Sequence, residues 1–372
     1  MSHTHPLSRR ALARIAGGGI AVAALRPLLA ATSPASRPAE GVVRLSANEN
    51  PYGPSPAALR AMREALALAW RYPDEMVGEL VKDLAALHGT SKESFVIGDG
   101  SSEILKLAAS AFTGPARKLV LADPTFEAIG KHAEVHGAEV VRVPLDPAYA
   151  HDLDRMSVPG AGLVYLCNPN NPTGSITPKA RVRAFLQSLP PSAALVVDEA
   201  YHHYADSPEY ESAIPLVDAH PNLIVARTFS KIYGMAGLRL GYAVAQPETA
   251  RKLAAHAAWD SVNAIAVAAG RASLKDKGYA AEGQRRNRST RAELVADLGK
   301  MGYQAIPSQT NFLMIDVRED VKPLIAALGE RGVQVGRLFP SLPRHLRVTI
   351  GTPGQMGRFL AAFKDQVIKR ER

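Results

Sequence analysis

Short apolar runs recur along the middle of the chain. They lie at Lys118–Ala122, Glu139–Val143, Gly162–Cys167, Ala194–Asp198 and Leu223–Arg227, and each is rich in Val, Leu or Ile. Stretches of helical spacing or length separate most of them, such as Glu103–Phe112 and Pro178–Leu189. Continuous apolar strands alternating with helices predict a parallel sheet covered on both faces. In such sheets ligands sit at the carboxyl ends of the strands.

The pattern changes after about Pro247. An Ala-rich helical region, Glu248–Gly302, precedes two strand-like pieces, Asn311–Val317 and Leu346–Ile350, with a helix over Val321–Arg331 between them. This half predicts a smaller α+β unit. The expected class is α/β: a large domain with a mostly parallel, helix-covered sheet over residues 73–250, and a small domain over 251–372. Residues 39–72 form an arm that belongs partly with the small domain. A chain of 372 residues suits two packed units.

Composition is that of a soluble globular protein, 47% hydrophobic and 21% charged. No apolar stretch of about 20 residues exists, so no membrane-spanning helix is expected. The formal charge of +9 invites a nucleic-acid reading, yet residues 1–38 carry five Arg and no acid. The remaining 39 basic and 35 acidic residues leave only +4, too mild and too scattered for a phosphate-backbone footprint. Cys167 is the single cysteine, which excludes an intrachain disulfide and a multi-cysteine metal site.

The first 38 residues stand apart. Ser8-Arg9-Arg10 precedes an uncharged stretch, Ile15–Leu25, and a small-residue region around Leu29-Ala30-Ala31. This order resembles a twin-arginine export signal and predicts a periplasmic or exported protein, or a cytoplasmic one if the leader does not function.

Four polar pieces carry candidate chemistry, three of them at the ends of expected strands. In Arg227-Thr228-Phe229-Ser230-Lys231, with Arg239 eight residues further on, hydroxyls, a lysine and an arginine meet at one turn and could cup an anion. A desolvated lysine there would have a lowered pKa and could form a Schiff base; a basic surface loop is the plainer alternative. Val196-Val197 runs into Asp198, 33 residues before Lys231. A buried acid needs a partner. A protonated pyridine nitrogen would serve, with Tyr201 near the ring's 3′ oxygen; helix capping is the simpler role. Asn168–Gly174 is a loop fixed by two prolines and a glycine, whose amides could approach a ring hydroxyl. Gly98-Asp99-Gly100-Ser101-Ser102 opens a helix and offers backbone N–H groups to a phosphate, or simply an N-cap.

Together these pieces resemble the fold-type I aminotransferases of class I/II, most of all the histidinol-phosphate aminotransferase-like branch. The resemblance covers roughly residues 41–360. It rests on Ala47-Asn48-Glu49-Asn50-Pro51, Arg71-Tyr72-Pro73, Gly98–Glu103, Asn170–Gly174, Asp198–Tyr201, Ser230-Lys231, Arg239 and Leu346-Arg347, in family order. It implies pyridoxal 5′-phosphate (PLP) as cofactor and Lys231 as the catalytic Schiff-base lysine of a ping-pong aldimine/ketimine exchange. By the same resemblance Asp198 pairs with the pyridine nitrogen, and Tyr201 and Asn171 bond its 3′ oxygen. Phe126 stacks on the ring, where family members usually have Tyr. Ser101, Ser102, Thr228, Ser230 and Arg239 hold the phosphate. Tyr72 reaches the phosphate of a neighbouring subunit, which implies a homodimer. Arg347 clamps the substrate carboxylate, with Tyr52, Asn171 and Arg337 also on the substrate side. The partners implied are a small amino donor and a 2-oxo acid.

One departure bears on substrate. Histidinol-phosphate enzymes tend to carry Arg directly after the strand that here reads Gly332–Val335, but Gly336 stands there and Arg337 is displaced by one. Arg337 could take its place, although a one-residue shift in a strand turns a side chain to the other face. A PLP decarboxylase or lyase on the same fold, and a non-catalytic small-ligand binder, are the alternative functions.

Overall fold

The computed structural model describes residues 41–370; the leader lies outside them. Residues from Val42 onward form one compact unit. Its centre is a seven-stranded sheet. The strands and the helices between them begin, after β1 (Val43–Arg44), α1 (Pro56–Ala65) and α2 (Asp74–His88), with β2 (Phe95–Gly98), α3 (Ser101–Phe112) and β3 (Lys118–Asp123). They continue with α4 (Ala128–Val135), β4 (Val140–Pro144), β5 (Ala161–Cys167), α5 (Lys179–Ser188), β6 (Ala194–Asp198), β7 (Leu223–Thr228) and β8 (Gly241–Ala245).

Strand order is β2-β8-β7-β6-β5-β3-β4. All five expected apolar runs are strands of this sheet, and they are mutually parallel. The sequence missed β2 and β8, and β8 runs antiparallel to both neighbours. Alternation along the buried strands feeds two cores. Val197, Val225 and Val244 face one side, with Leu80, Leu84 and Phe185. Val196, Ile224 and Ala243 face the other, with Ile104, Leu105 and Ala108. Both faces are buried, which is why these strands read as unbroken apolar runs.

The Ala-rich region is three helices rather than one: α6 (Pro247–Ala254), α7 (Ala264–Lys275) and α8 (Lys277–Lys300). The break before α7 is set by Asn263, whose side chain accepts from the Ala266 N–H and starts the helix afresh. The rest comprises β9 (Gln304–Ala305), β10 (Phe312–Asp316), α9 (Lys322–Glu330), β11 (Val333–Gln334), β12 (His345–Thr349) and α10 (Pro353–Arg370). Strands β12, β10 and β9 make a small antiparallel sheet. Strand β1 pairs in parallel with β11, Val43 opposite Val333. The arm thus closes onto the C-terminal part of the chain.

Candidate active site

The carboxyl ends of β5, β6 and β7 open into a cavity of about 510 Å3. Asp198 ends β6, on the same face as Tyr165 and Cys167 of β5. It is 2% exposed. Tyr165 donates its hydroxyl to one carboxylate oxygen at 2.9 Å, and the Ala200 N–H donates to the other at 3.1 Å. Burial pushes this carboxyl up to about 6, against the pull of those two hydrogen bonds. The cap-like contact to Ala200 coexists with the cavity-facing position, so the two sequence readings of Asp198 do not exclude each other.

Lys231 follows β7 at the same end and lines the same cavity. Burial, and next to it the charge of Arg347, push its amine down to about 8. The Nζ lies 5.4 Å from the Tyr201 ring centroid. Tyr201 accepts from the Asn48 side-chain amide at 3.1 Å, so its own hydroxyl proton is free to be donated.

A cup of donors lies beside the lysine. Helix α3 begins after Gly100 with no side-chain cap, leaving N–H groups directed outward with Ser101 and Ser102. Gly100 has φ +78, and a Cβ there would lie 2.2 Å from an Arg239 nitrogen. Glycine therefore lets the guanidinium lie across the helix start, where Arg239 donates to the Asp99 carbonyl at 3.1 Å. Thr228 donates to Ser230 at 2.9 Å, and both hydroxyls line the cavity. One guanidinium, four hydroxyls and a helix N-terminus suit an anion.

Arg347, on β12, closes the opposite wall. It donates to the Asn171 side-chain oxygen and to the Ser46 carbonyl, each at 2.7 Å, while its buried Nε has no hydrogen-bond partner among the described residues. Asn171 accepts from Arg347 through its oxygen, which leaves its amide to donate into the cavity. Phe126 also lines the space.

Arg337 lines it too, despite its displacement by one position. Strand β11 ends at Gln334, so strand alternation does not govern Arg337. Its guanidinium packs 4.5 Å from the Phe339 ring centroid and pairs with Glu127 at 2.9 Å. Gly336 is filled space: a Cβ there would meet the Arg347 Cβ at 2.8 Å.

Two sequence-assigned residues lie elsewhere in this chain. Tyr72 is 77% exposed on a separate groove, and Tyr52 stacks under Arg286 beside another small pocket. Sequence reasoning did not single out Asn48, Tyr165, Glu127, Lys131 or Phe339. Asn48 stood within a quoted motif, and strand register would have placed Tyr165 on the Asp198 face.

The model for aminotransferase class I and II matches residues 40–363. The chain belongs to the class I and II aminotransferases. It is 42% identical over 327 residues to the histidinol-phosphate aminotransferase of Symbiobacterium thermophilum, covering 87% of this chain and 90% of that one. It is 38% identical over 331 residues to histidinol-phosphate aminotransferase 1 of Cupriavidus pinatubonensis, covering 87% and 88%. Among solved structures, the histidinol-phosphate aminotransferase of Sinorhizobium meliloti in complex with pyridoxal-5′-phosphate matches with TM-score 0.82 and 32% identity, covering 89% of this chain and 92% of that one. The aminotransferase family thus accounts for nearly the whole compact unit.

Proposed function

We propose that this aminotransferase uses PLP to move an amino group between a small donor carrying an anionic group and a 2-oxo acid. The donor is an amino acid or an amino-alcohol phosphate such as histidinol phosphate. One observation carries the reading: a lysine of lowered proton affinity, a buried carboxylate, an anion cup and an arginine with an unpartnered nitrogen share one cavity.

The residues fit the cofactor. The uncapped start of α3, with Ser101, Ser102, Thr228, Ser230 and Arg239, would hold its phosphate. Asp198 is a buried acid whose carboxyl is pushed up, and a protonated ring nitrogen would supply a cation that favours its ionised form. Tyr201 and Asn171 each keep a donor for the 3′ oxygen, and Phe126 would cover a ring face. When bound, the cofactor supplies a ring that withdraws electrons from the substrate's Cα. Lys231 would hold the cofactor at rest and, once released, take the proton from Cα; its lowered pKa suits that task near neutral pH. Arg347 would fix the carboxylate of an amino-acid donor or of the 2-oxo acid and so aim the reacting Cα at the lysine.

The test is direct. Holoenzyme mixed with a panel of amino acids and histidinol phosphate should convert to the pyridoxamine form with at least one donor. Lys231→Ala should retain cofactor non-covalently and transaminate slower by about two to four orders of magnitude. Near wild-type turnover in that variant, or borohydride trapping of the cofactor on another lysine, refutes the assignment.

The assembly we infer is a homodimer, with Tyr72 reaching the partner's cavity; its exposure on a groove beside Trp70 supports this. Export by the twin-arginine-like leader is likewise our reading, supported by Ser8-Arg9-Arg10 ahead of an uncharged core. An unprocessed N-terminus found only in the cytoplasm, with or without Arg9 and Arg10 changed to Lys, would sink the export reading.

A further inference from the structure

The hydrogen bonds behind Tyr201 run in one direction, and they start on the strand that carries Arg347. Thr349 lies two residues after Arg347 in β12, on the same face. Its hydroxyl oxygen accepts from the Asn48 backbone N–H at 3.0 Å, and its hydroxyl proton goes to the Asn48 side-chain oxygen at 3.1 Å. With that oxygen occupied, the Asn48 amide presents its nitrogen to Tyr201 and donates to the phenol oxygen at 3.1 Å. The phenol proton cannot return along this line. It is left for the cavity, which Asn48 and Tyr201 both line.

All three links are buried, so water does not compete for their hydrogen bonds. Asn48 holds φ +55, a left-handed conformation uncommon outside glycine, and in it both the N–H and the side-chain oxygen of one residue meet the same hydroxyl. Asn311 ties the Asn48 carbonyl down through its own amide at 3.1 Å. Burial pushes the Tyr201 hydroxyl up, against the pull of the Asn48 hydrogen bond and the Arg347 charge, so the phenol keeps its proton to donate. A turned amide, or an acid in place of Asn48, would present an acceptor instead, and Tyr201 would donate backwards.

We propose that Asn48, held by Thr349, is a positioning residue that fixes the direction of the Tyr201 proton, so that Tyr201 donates to the cofactor's 3′ oxygen. The inference rests on the reading of Tyr201 as that donor. A donor on the 3′ oxygen draws electron density from it, and the nitrogen through which Lys231 holds the cofactor then keeps its own proton less tightly.

The readout is the absorbance of holoenzyme titrated with pH, whose midpoint reports the proton on that nitrogen. Tyr201→Phe removes the donor and should raise the midpoint by about one pH unit, the scale of one hydrogen bond to a charged group. Asn48→Asp keeps the size of the side chain and its bond from Thr349 but offers Tyr201 an acceptor, so the midpoint should rise by at least as much. The new carboxylate also acts through its charge, and the double variant isolates that part. In the Tyr201→Phe background, Asn48→Asp should shift the midpoint by about one pH unit less than it does alone. Should Asn48→Asp fail to fold, Thr349→Val frees the amide to turn and should raise the midpoint, with Thr349→Ser restoring it. Equal shifts from Asn48→Asp in the two backgrounds overturn the relay, as does a midpoint that Thr349→Val leaves in place. If Tyr201→Phe itself leaves the midpoint unmoved, the reading of Tyr201 falls and the relay falls with it.

Discussion

At the scale of single residues, the site is a set of side chains whose proton affinities burial has shifted. Lys231 has the clearest consequence. Its amine is pushed down to about 8 from an ordinary value of 10.5, first by burial and then by Arg347. Only the neutral amine attacks an aldehyde. Below about pH 8 the cavity lysine is protonated and slow, and above it the rate levels off, whereas an ordinary lysine would go on gaining to about 10.5. Covalent capture of PLP by cofactor-free protein, followed by absorbance in stopped flow, should therefore rise with pH and reach a plateau shortly above 8. A rate still climbing at pH 10 would show that the cavity does not tune the amine. The residues of this chemistry were legible in the sequence, since Lys231, Asp198 and the phosphate cup each sit next to a strand end. Glu127 and Phe339 were not. They reach the cavity only because a loop after β11 folds against the start of α4, an approach that no local pattern encodes.

At the scale of elements, the ends of β6 and β7 are fixed from behind. Asp198 and Thr228 face the cavity, while their neighbours Glu199 and Arg227 turn to the opposite side of the sheet. There they form an ion pair at 2.7 Å, with side chains 1% and 7% exposed. Ser212 donates to the same carboxylate at 3.0 Å and the Ala213 N–H to its other oxygen at 2.6 Å. A buried pair of this kind stabilises little as a unit, but removing one partner strands the other charge. Glu199→Ala should cost about 3–5 kcal/mol in urea denaturation and loosen the strand end that carries Asp198. Changing Glu199 and Arg227 together to Met should recover much of that loss. Equal losses in the single and double variants would mean that the stranded charge is not the cause. Strands β3 to β7 were readable from their apolar runs because both sheet faces are covered. Strand β8 was not: Gly241-Tyr242-Ala243-Val244-Ala245 is poor in strong strand formers, and its reversed direction leaves no mark in composition.

At the scale of the whole molecule, three large aromatic side chains stay exposed. Trp259 is 94% exposed, Trp70 74% and Tyr72 77%; the last two border a groove that also holds Asp260, the chain neighbour of Trp259. Large aromatic side chains grouped on a surface mark an interface. If two copies associate through it with two-fold symmetry, each covers the same patch of the other. Sedimentation should report two copies at micromolar concentration, and Trp70→Asp with Trp259→Asp should yield monomers that hold PLP less tightly because Tyr72 no longer reaches its partner. A wild-type monomer with full cofactor affinity would leave Tyr72 without that role. A different asymmetry follows from the pairing of Val43 with Val333. The arm leaves the ribosome early, and its partners are made late. The phosphate cup, Asp198 and Lys231 all lie between Ser101 and Arg239, so they are synthesised before the wall of Arg337 and Arg347. The side of the cavity that meets the substrate is the last to leave the ribosome.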